Sequence, residues 1–477
     1  MDRDFEDGLS FNDSAVSRSP DSLLARNALT MRANTGPAYA KIGRGLARLA
    51  RLGSGTHALA LADQAVVSSA SFLTTIIVGR WTHPDVLGLY AIGASLMVLA
   101  LNFQESLVSL PYTIQHHRAL GRPTEYAGGA LAQSGALSIF SIVLLAAAAL
   151  GLSARHAESE LIAMVWALAG ATPFALLREF ARKFAFAHLR VTQALMVDVA
   201  VAAIQLSILS WLGWTGRMSP ATACAAVGGA CALIGVVWLV LVRANFAIRA
   251  RDLPTTIKQS WRLGKWLFAG QATVTVQSYV SYWLLAAVLD TTATGVYAAC
   301  MTVAMFANPL IIGLANVLVP RAVLAFKEGG GVKLRRQAIR DLILLGASMA
   351  LFCAVVLLVG EDIMRLLYRG GQYEGQGRTV SVLAAASLAF AMGIPATIAL
   401  TSMERPRATV SAGLAGAVVT IVVGWWLMVE WGLLGAAYGF LLGNVIGTIG
   451  RWAVFLSLVR QSDPTLNLKS NALAARE

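Results

Sequence analysis

Long apolar runs, separated by short polar stretches, dominate the chain from residue 57 onward. A helix that crosses a bilayer needs about 20 mostly apolar residues. Twelve runs approach or exceed that length. We therefore predict an all-α polytopic membrane protein with transmembrane helices over 57–79, 86–110, 127–151, 160–177, 191–212, 219–242, 264–289, 295–319, 339–360, 379–401, 408–429 and 433–457.

The N-terminal stretch differs from the rest, because residues 1–55 are polar and contain no apolar core of a signal peptide. Within residues 38–52, apolar side chains alternate with four basic ones at helical spacing: Lys41, Arg44, Arg48 and Arg51. This spacing predicts a basic amphipathic helix lying on an anionic membrane surface. A solvated basic tail is the open alternative, since two glycines weaken the helix.

Composition agrees with the membrane class. Hydrophobic residues make up 57% of the 477 positions and charged residues only 13%, which excludes a disordered chain, a coiled coil and an ordinary soluble enzyme. All four cysteines lie inside apolar runs, without zinc spacing. In a soluble protein, a net charge of +13 indicates binding to nucleic acid. In a membrane protein, its meaning depends on the side of the membrane on which the cations lie.

The positive charges lie almost entirely on one side of the predicted membrane. Twelve helices place both chain ends and every second loop on that side, and only six of the 38 Lys and Arg residues lie on the other: Arg80, Arg155, Arg217, Arg365, Arg369 and Arg378. Such an asymmetry indicates the cytoplasmic side. We therefore expect both termini in the cytoplasm and no nucleic-acid partner.

The two halves of the chain resemble each other. With a shift of 207 residues, Gly-Leu-Tyr-Ala at 88–91 aligns with Gly-Val-Tyr-Ala at 295–298, and we expect the second helix of each half to end at a proline, Pro111 and Pro320. Six helices per half is an even number, so the repeat is parallel. The predicted organisation is a tail, a six-helix bundle, a cytoplasmic linker, a second six-helix bundle and a tail, over 1–55, 56–243, 244–263, 264–459 and 460–477.

Three acidic residues lie at membrane depth, and all belong to the first half: Asp63, Glu105 and Asp198. Ionisable groups are costly there, so each is a candidate for ion coupling or for the wall of a polar cavity. Gln64 follows Asp63, and Gln271 occupies the equivalent position in the second half. The structural alternative is a carboxylate bonded to neighbouring helices. We expect no cofactor or bound metal beyond a coupling H⁺ or Na⁺.

Basic residues cluster where two predicted helices meet the cytoplasm: Arg178, Arg182 and Lys183 after the fourth, and Arg262 and Lys265 at the start of the seventh. One interpretation is topology anchoring by side chains that reach the membrane surface. The other is a cationic mouth for an anionic substrate, such as a phosphorylated lipid.

Two predicted helices carry further patterned residues. Tyr279, Tyr282 and Trp283 in the seventh are candidates for lining a cavity, where aromatic rings stack on sugars, or for facing lipid headgroups, the interpretation favoured for Trp283. The twelfth has a stripe of glycines four residues apart, which predicts close helix packing: Gly435, Gly439, Gly443 and Gly447.

Short motifs around these helices resemble one transporter group. Gly79-Arg80, Pro84-Asp85 and the Gly-Leu-Tyr-Ala segment resemble the junction of the first two helices in Wzx-type polysaccharide flippases, members of the multidrug/oligosaccharidyl-lipid/polysaccharide (MOP) exporter superfamily. The segments 178–186 and 404–407 are similar to loops of the same group. The resemblance covers about residues 57–457.

The resemblance implies a MATE-like pair of six-helix bundles around a central cavity. It implies alternating-access transport of an undecaprenyl-pyrophosphate-linked oligosaccharide from the cytoplasmic to the periplasmic leaflet of a bacterial inner membrane. The expected partners are this lipid-linked oligosaccharide, the membrane, and a polysaccharide polymerase or co-polymerase. Such transport is non-covalent, so we expect no enzyme.

Two other function classes stay open at this stage. The deep charges are acidic and the cations lie at the rims, which keeps a cation-coupled multidrug exporter of the same fold in consideration. An integral-membrane transferase or polymerase acting on lipid-linked sugars needs a catalytic loop, and the short external loops argue against it.

Overall fold

The computed structural model describes residues 55–116, 123–249, 253–403 and 406–461. The predicted amphipathic helix over 38–52 lies outside these residues. Within them the regular structure is entirely helical, so the all-α prediction is confirmed.

Six helices form the first half of the described chain. Helix α1 is Gly55–Trp81, and α2 runs from Pro84 to His116 as Pro84–Gln104, a π-helical turn Glu105–Ser109, and Leu110–His116. The others are α3 Pro123–Ala154, α4 Ser159–Ala187, α5 Val191–Trp214 and α6 Pro220–Val242.

The second half repeats this order. Helix α7 is Leu253–Val288 and α10 is Gly377–Ser402. Helix α8 begins with Thr291–Ala304, passes a 3₁₀ turn Met305–Ala307, and continues into the segment Asn308–Leu367. A break at Gly329 and Gly330 ends α8, and α9 covers 331–367. The segment Pro406–Gln461 is broken at Gly432 into α11, over 406–431, and α12, over 433–461. Glycines separate the members of each pair. Gly330 has φ +56° and Gly432 has φ +57°, a left-handed backbone that glycine adopts without strain.

The described chain contains nine helical segments that are long and apolar enough to cross a membrane. Two of them, Thr291–Leu367 and Val410–Gln461, each contain a glycine break and supply two crossings. The more polar α7 brings the total to twelve. The prediction of twelve spanning helices is thus confirmed, although several helices extend well beyond the apolar runs.

Neither second helix ends at its proline. Pro111 lies inside α2, directly after the π-helical turn, and Pro320 lies inside α8. A proline removes one backbone hydrogen bond and clashes with the preceding turn, which a long helix absorbs by a local irregularity rather than by ending. The expectation that these prolines end their helices is wrong.

Equivalent helices of the two halves make equivalent contacts. Gln205 Nε2 of α5 donates a hydrogen bond to Thr74 Oγ1 of α1 at 2.6 Å, and α11 packs on α7 in the same way, with Gly416 against Gln277. Helix α6 packs on α4, and Trp452 of α12 donates from Nε1 to the Met392 carbonyl of α10 at 2.8 Å. This shared pairing supports the parallel repeat.

The two halves meet at the extracytoplasmic ends of α2 and α8, at the repeated glycines. A Cβ on Gly88 would lie 1.9 Å from the Thr291 carbonyl oxygen, and a Cβ on Gly295 would lie 1.7 Å from the Pro84 carbonyl oxygen. The same shift of 207 residues relates both pairs, so this is a two-fold contact of backbone on backbone. Nearby, Arg80 Nη1 donates to the Leu366 carbonyl at 3.1 Å. These contacts hold the halves together at that end.

Candidate functional site

A cavity of about 300 Å³ lies among α1, α2 and α4 to α8. Its walls are mostly apolar. Thr74 and Gln205 add polar groups, and Tyr279 and Tyr282 of α7 line it, in agreement with the first interpretation of these tyrosines. Arg178 and Asp198 also line it, and both lie in the cytoplasmic halves of their helices. The cavity therefore joins an aromatic, apolar chamber to a charged region.

That charged region is centred on Arg182. Its Nη2 donates to Asp63 Oδ2 at 2.8 Å, its Nη1 donates to Glu179 Oε1 at 3.2 Å, and its Nε lies 2.9 Å from Asp198 Oδ2. Arg178 bonds to Asp198 and to Glu179. The side chains of Asp63 and Asp198 are 0% exposed. One guanidinium thus links α1, α4 and α5.

Lys183 extends the network towards α2. Its Nζ donates to Glu105 Oε1 at 2.7 Å and lies 3.9 Å from Glu179 Oε1. Glu105 is the first residue of the π-helical turn, and turns of this kind are often found at functional sites.

The network holds more negative than positive charge. Three cations, Arg178, Arg182 and Lys183, face the four carboxylates of Asp63, Glu105, Glu179 and Asp198. Asp63 Oδ1 and Glu105 Oε2 are buried and make no hydrogen bond within the described residues. Buried ions are tolerated only when they are compensated. The arrangement can therefore accept one further positive charge, such as a proton or a small cation.

The structure groups six of the ten predicted site residues and separates the other four. The network contains Asp63, Glu105, Asp198, Arg178, Arg182 and Lys183, so acids and cations that the sequence placed in separate regions are direct partners. Gln64 makes a local bond, from Nε2 to Ser68 Oγ at 3.3 Å, and Gln271 does not line the cavity. Arg262 and Lys265 are exposed on α7.

Two charged groups were not singled out from the sequence. Glu179 bonds to three cations, and its spacing of one, three and four residues from them was the available signal. Arg451 was assigned to the cytoplasmic side, but it is only 7% exposed inside the second half. The position of Arg451 within an apolar run, next to the glycine stripe of α12, was the signal in the sequence that this residue is buried.

A second concave surface lies on the outside of the bundle. This membrane groove, of about 350 Å³, is formed by α2, α3 and the cytoplasmic part of α7, and its lining is almost purely apolar: Leu107, Val108, Ala132, Gln133, Ala136, Leu137, Phe140, Leu253, Ile257, Ser260 and Trp261. The side chain of Phe140 is 59% exposed and that of Trp261 55%. In a membrane protein these rings face lipid.

No protein-family model matches the sequence, and the search of curated proteins found no match. Solved structures do match. An inward-facing multidrug resistance MATE family transporter of the MOP superfamily has a TM-score of 0.69 at 14% identity, covering 85% of this chain and 99% of that one. A MOP superfamily transporter from Pyrococcus furiosus has a TM-score of 0.63 at 13% identity, covering 85% and 95%. An outward-facing MATE family structure has a TM-score of 0.61 at 14% identity, covering 85% and 95%.

At these identities the likeness shows the fold. The chain is a polytopic membrane protein with the twelve-helix fold of the MATE transporters of the MOP superfamily. The sequence motifs resemble those of the MOP superfamily, and the chain has the fold of that superfamily's MATE transporters. The polysaccharide-flippase branch within the superfamily stays a prediction.

Proposed function

We propose that this protein is a secondary transporter that moves a lipid-linked oligosaccharide from the cytoplasmic to the outer leaflet of a bacterial inner membrane by alternating access. The observation that carries the proposal is the position of the membrane groove. Leu107 and Val108, which line it, belong to the π-helical turn that begins with Glu105. An apolar surface that faces lipid and a buried charged region that adjoins the cavity therefore share one turn of α2.

A lipid-linked sugar has two parts that suit this arrangement. Its polyprenyl tail stays in the bilayer, where an apolar groove contacts it at little cost. Its anionic headgroup is attracted by exposed cations on α7, Lys258, Arg262 and Lys265, next to the groove residues Ile257 and Trp261. The tyrosines of the cavity offer faces on which sugar rings stack.

The charge excess supports coupling to an ion gradient. A proton or Na⁺ that neutralises one carboxylate weakens the hold of Arg182 on α1 and α5, because that guanidinium contacts carboxylates on both helices. The binding of the ion then favours one arrangement of these helices over the other, which is the condition for coupling.

Deletion of the gene tests the function. We expect surface polysaccharide to be lost and lipid-linked repeat units to accumulate facing the cytoplasm, since flipping precedes polymerisation outside. Surface polysaccharide is measured by gel electrophoresis, and the orientation of the lipid-linked units by a membrane-impermeant sugar reagent. Expression of the wild-type chain in the deletion strain is the control. Normal polysaccharide export in the deletion strain would falsify the proposal.

Filling the groove tests the part of the proposal that concerns the lipid. We expect Ala136→Phe to reduce flipping strongly while expression stays normal, because the ring occupies the space assigned to the tail. The matched control is Ala148→Phe on the same helix, at an exposed position that does not line the groove. Equal flipping by both variants, measured with reconstituted protein and a fluorescent lipid-linked oligosaccharide, contradicts the assignment.

A cation-coupled multidrug exporter is the second candidate. Two observations favour it: the excess carboxylate of the network, which attracts cationic compounds, and a cavity volume of about 300 Å³, which is in the range for drug-sized ligands. Increased sensitivity of the deletion strain to cationic drugs, with intact polysaccharide, supports this candidate over the first.

A further inference from the structure

Arg451 of α12 is a buried cation that stands apart from the network of the first half. It is 7% exposed. Its Nη2 donates to Thr448 Oγ1 at 3.1 Å, and its guanidinium carbon lies 5.9 Å from the centre of the Phe390 ring. Its Nε makes no hydrogen bond, and no carboxylate of the described residues forms a salt bridge with it.

An arginine in this setting keeps its charge, because a guanidinium group is not deprotonated in proteins. A buried charge without a counter-ion is strongly unfavourable, both in protein interiors and at membrane depth. In the first half, the carboxylate of Asp63 compensates such a guanidinium. The equivalent position in the second half is Gly270, so the repeat does not supply the same partner.

The second half contains a buried acid, Asp341, but this residue does not compensate Arg451. Asp341 of α9 accepts a hydrogen bond from Gln337 Nε2 at 2.8 Å, and it forms no salt bridge with Arg451 within the described residues. The second half thus buries one guanidinium that no carboxylate of the described residues pairs with.

The surroundings of Arg451 hold its guanidinium in place between α10, α11 and α12. A Cβ on Gly393 would lie 2.6 Å from Nη2 and 2.8 Å from Nε, so a larger residue there displaces the group. A Cβ on Gly447 would lie 3.8 Å from Nη2 and 3.7 Å from the Cα of Gly416. Gly416 in turn contacts Nε2 of Gln277, a side chain that is 7% exposed.

We propose that Arg451 forms a binding site for a phosphate-type oxyanion inside the second bundle. Guanidinium groups bind phosphate oxygens by paired, charge-assisted hydrogen bonds, and the free Nε together with Nη2 offers such a pair. The anion is either the phosphate of a lipid-linked substrate or a free inorganic anion. The first source rests on the proposed function, whereas the second does not.

Binding of ³²P-labelled inorganic pyrophosphate to the full-length protein in phosphatidylcholine nanodiscs tests the site. We expect Arg451→Gln to weaken binding by about 30-fold or more, since loss of one partner of a buried charged pair typically has an effect of that size. The control is Arg460→Gln, which removes an exposed cation from the same helix. Equal affinity of the wild type and Arg451→Gln for a bound anion overturns the proposal.

A second pair of variants keeps the charge and changes only its position. Gly393→Ala places a methyl group against the guanidinium, so we expect it to weaken pyrophosphate binding, whereas Gly346→Ala, whose Cβ meets nothing within 4 Å, leaves binding unchanged.

Thermal unfolding separates a binding role of Arg451 from a purely structural one, because the two roles predict different changes in stability. Without anions, Arg451→Gln is expected to unfold no earlier than the wild type, because it removes an uncompensated charge. An earlier unfolding, together with unchanged affinity, indicates a purely structural arginine and contradicts the proposal.

Nanodiscs that carry undecaprenyl pyrophosphate distinguish the two sources, with undecaprenol as the matched uncharged lipid. Stabilisation of the wild type by the pyrophosphate lipid alone, lost in Arg451→Gln, assigns the site to the lipid headgroup. Stabilisation by free pyrophosphate as well assigns it to small anions, and this result stands even if the deletion strain exports polysaccharide normally. Failure of both ligands to stabilise the wild type overturns the site.

Discussion

At the residue scale, the proposed coupling depends on a small set of buried charges and on the salt bridges that these charges form with each other. Arg182 contacts carboxylates on α1, α4 and α5, so the position of three helices depends on one guanidinium. Asp63 is fully buried and has one oxygen without a hydrogen-bond partner within the described residues. Asp63 is therefore the residue at which a change of charge has the clearest consequence.

We expect Asp63→Asn to fold normally and to lose coupled transport. The substitution leaves three cations facing three carboxylates, so the network is neutral without an added ion. Coupling energies of about 1–3 kcal/mol imply a loss of about 5- to 150-fold. Transport is measured in proteoliposomes with and without an ion gradient, with the exposed Asp362→Asn as control. Wild-type transport by Asp63→Asn at normal expression removes Asp63 from the mechanism.

At the element scale, glycines decide how the helices approach each other. The predicted stripe on α12 is confirmed as a packing seam: a Cβ on Gly439 would lie 2.3 Å from the Cα of Gly424, and one on Gly443 would lie 1.8 Å from Thr420 Oγ1. The repeated glycines of α2 and α8 do the same between the two halves. A glycine stripe is readable in a sequence, whereas its partner helix is not, because any neighbouring helix with small residues satisfies the same pattern.

We expect Gly295→Ala to destabilise the protein and to separate the extracytoplasmic ends of α2 and α8. The new methyl group collides with the Pro84 carbonyl, and overpacking of this kind typically costs about 1–3 kcal/mol. Thermal unfolding in detergent measures the stability. The matched control on the same helix is Gly313→Ala, whose Cβ meets nothing within 4 Å. A similar unfolding temperature for the two variants is inconsistent with the backbone contact.

At the scale of the whole molecule, two six-helix halves with the same pairing are in contact at one end, and they differ in how their buried charges are paired. The seven network residues belong to the first half, whereas Arg451 is buried in the second half. This distribution of buried charges is compatible with alternating access, in which one half binds the coupling ion and the other half contributes to binding of the substrate. Transport on this scheme requires the extracytoplasmic contact to open.

Locking that contact is expected to stop transport. Arg80 and Leu366 lie opposite each other at the extracytoplasmic ends of α1 and α9, so Arg80→Cys with Leu366→Cys is a suitable pair for a short thiol crosslinker. The four native cysteines are buried and react slowly. We expect activity to return after cleavage of the linker, and each single variant to stay active after the same treatment. Full activity of the crosslinked double variant argues against alternating access.

The sequence by itself determined the spanning helices, their orientation and the duplication. These properties follow from local physical chemistry: the length of an apolar run, the side on which cations remain, and the recurrence of a short pattern. Asp63, Glu105 and Asp198 were also identified from the sequence, because an ionisable group in an apolar run is visible without any knowledge of its neighbours.

Only the tertiary structure decided which of these residues meet. It joined Asp63, Glu105 and Asp198 to Arg178, Arg182 and Lys183 across four helices, left Arg262 and Lys265 at the surface, and buried Arg451 without a carboxylate from the described residues. The reason is geometric. The sequence of an apolar run of 20 residues does not show which face of its helix turns inward. The electrostatic energy of a charge depends on the groups that lie within a few ångströms of it.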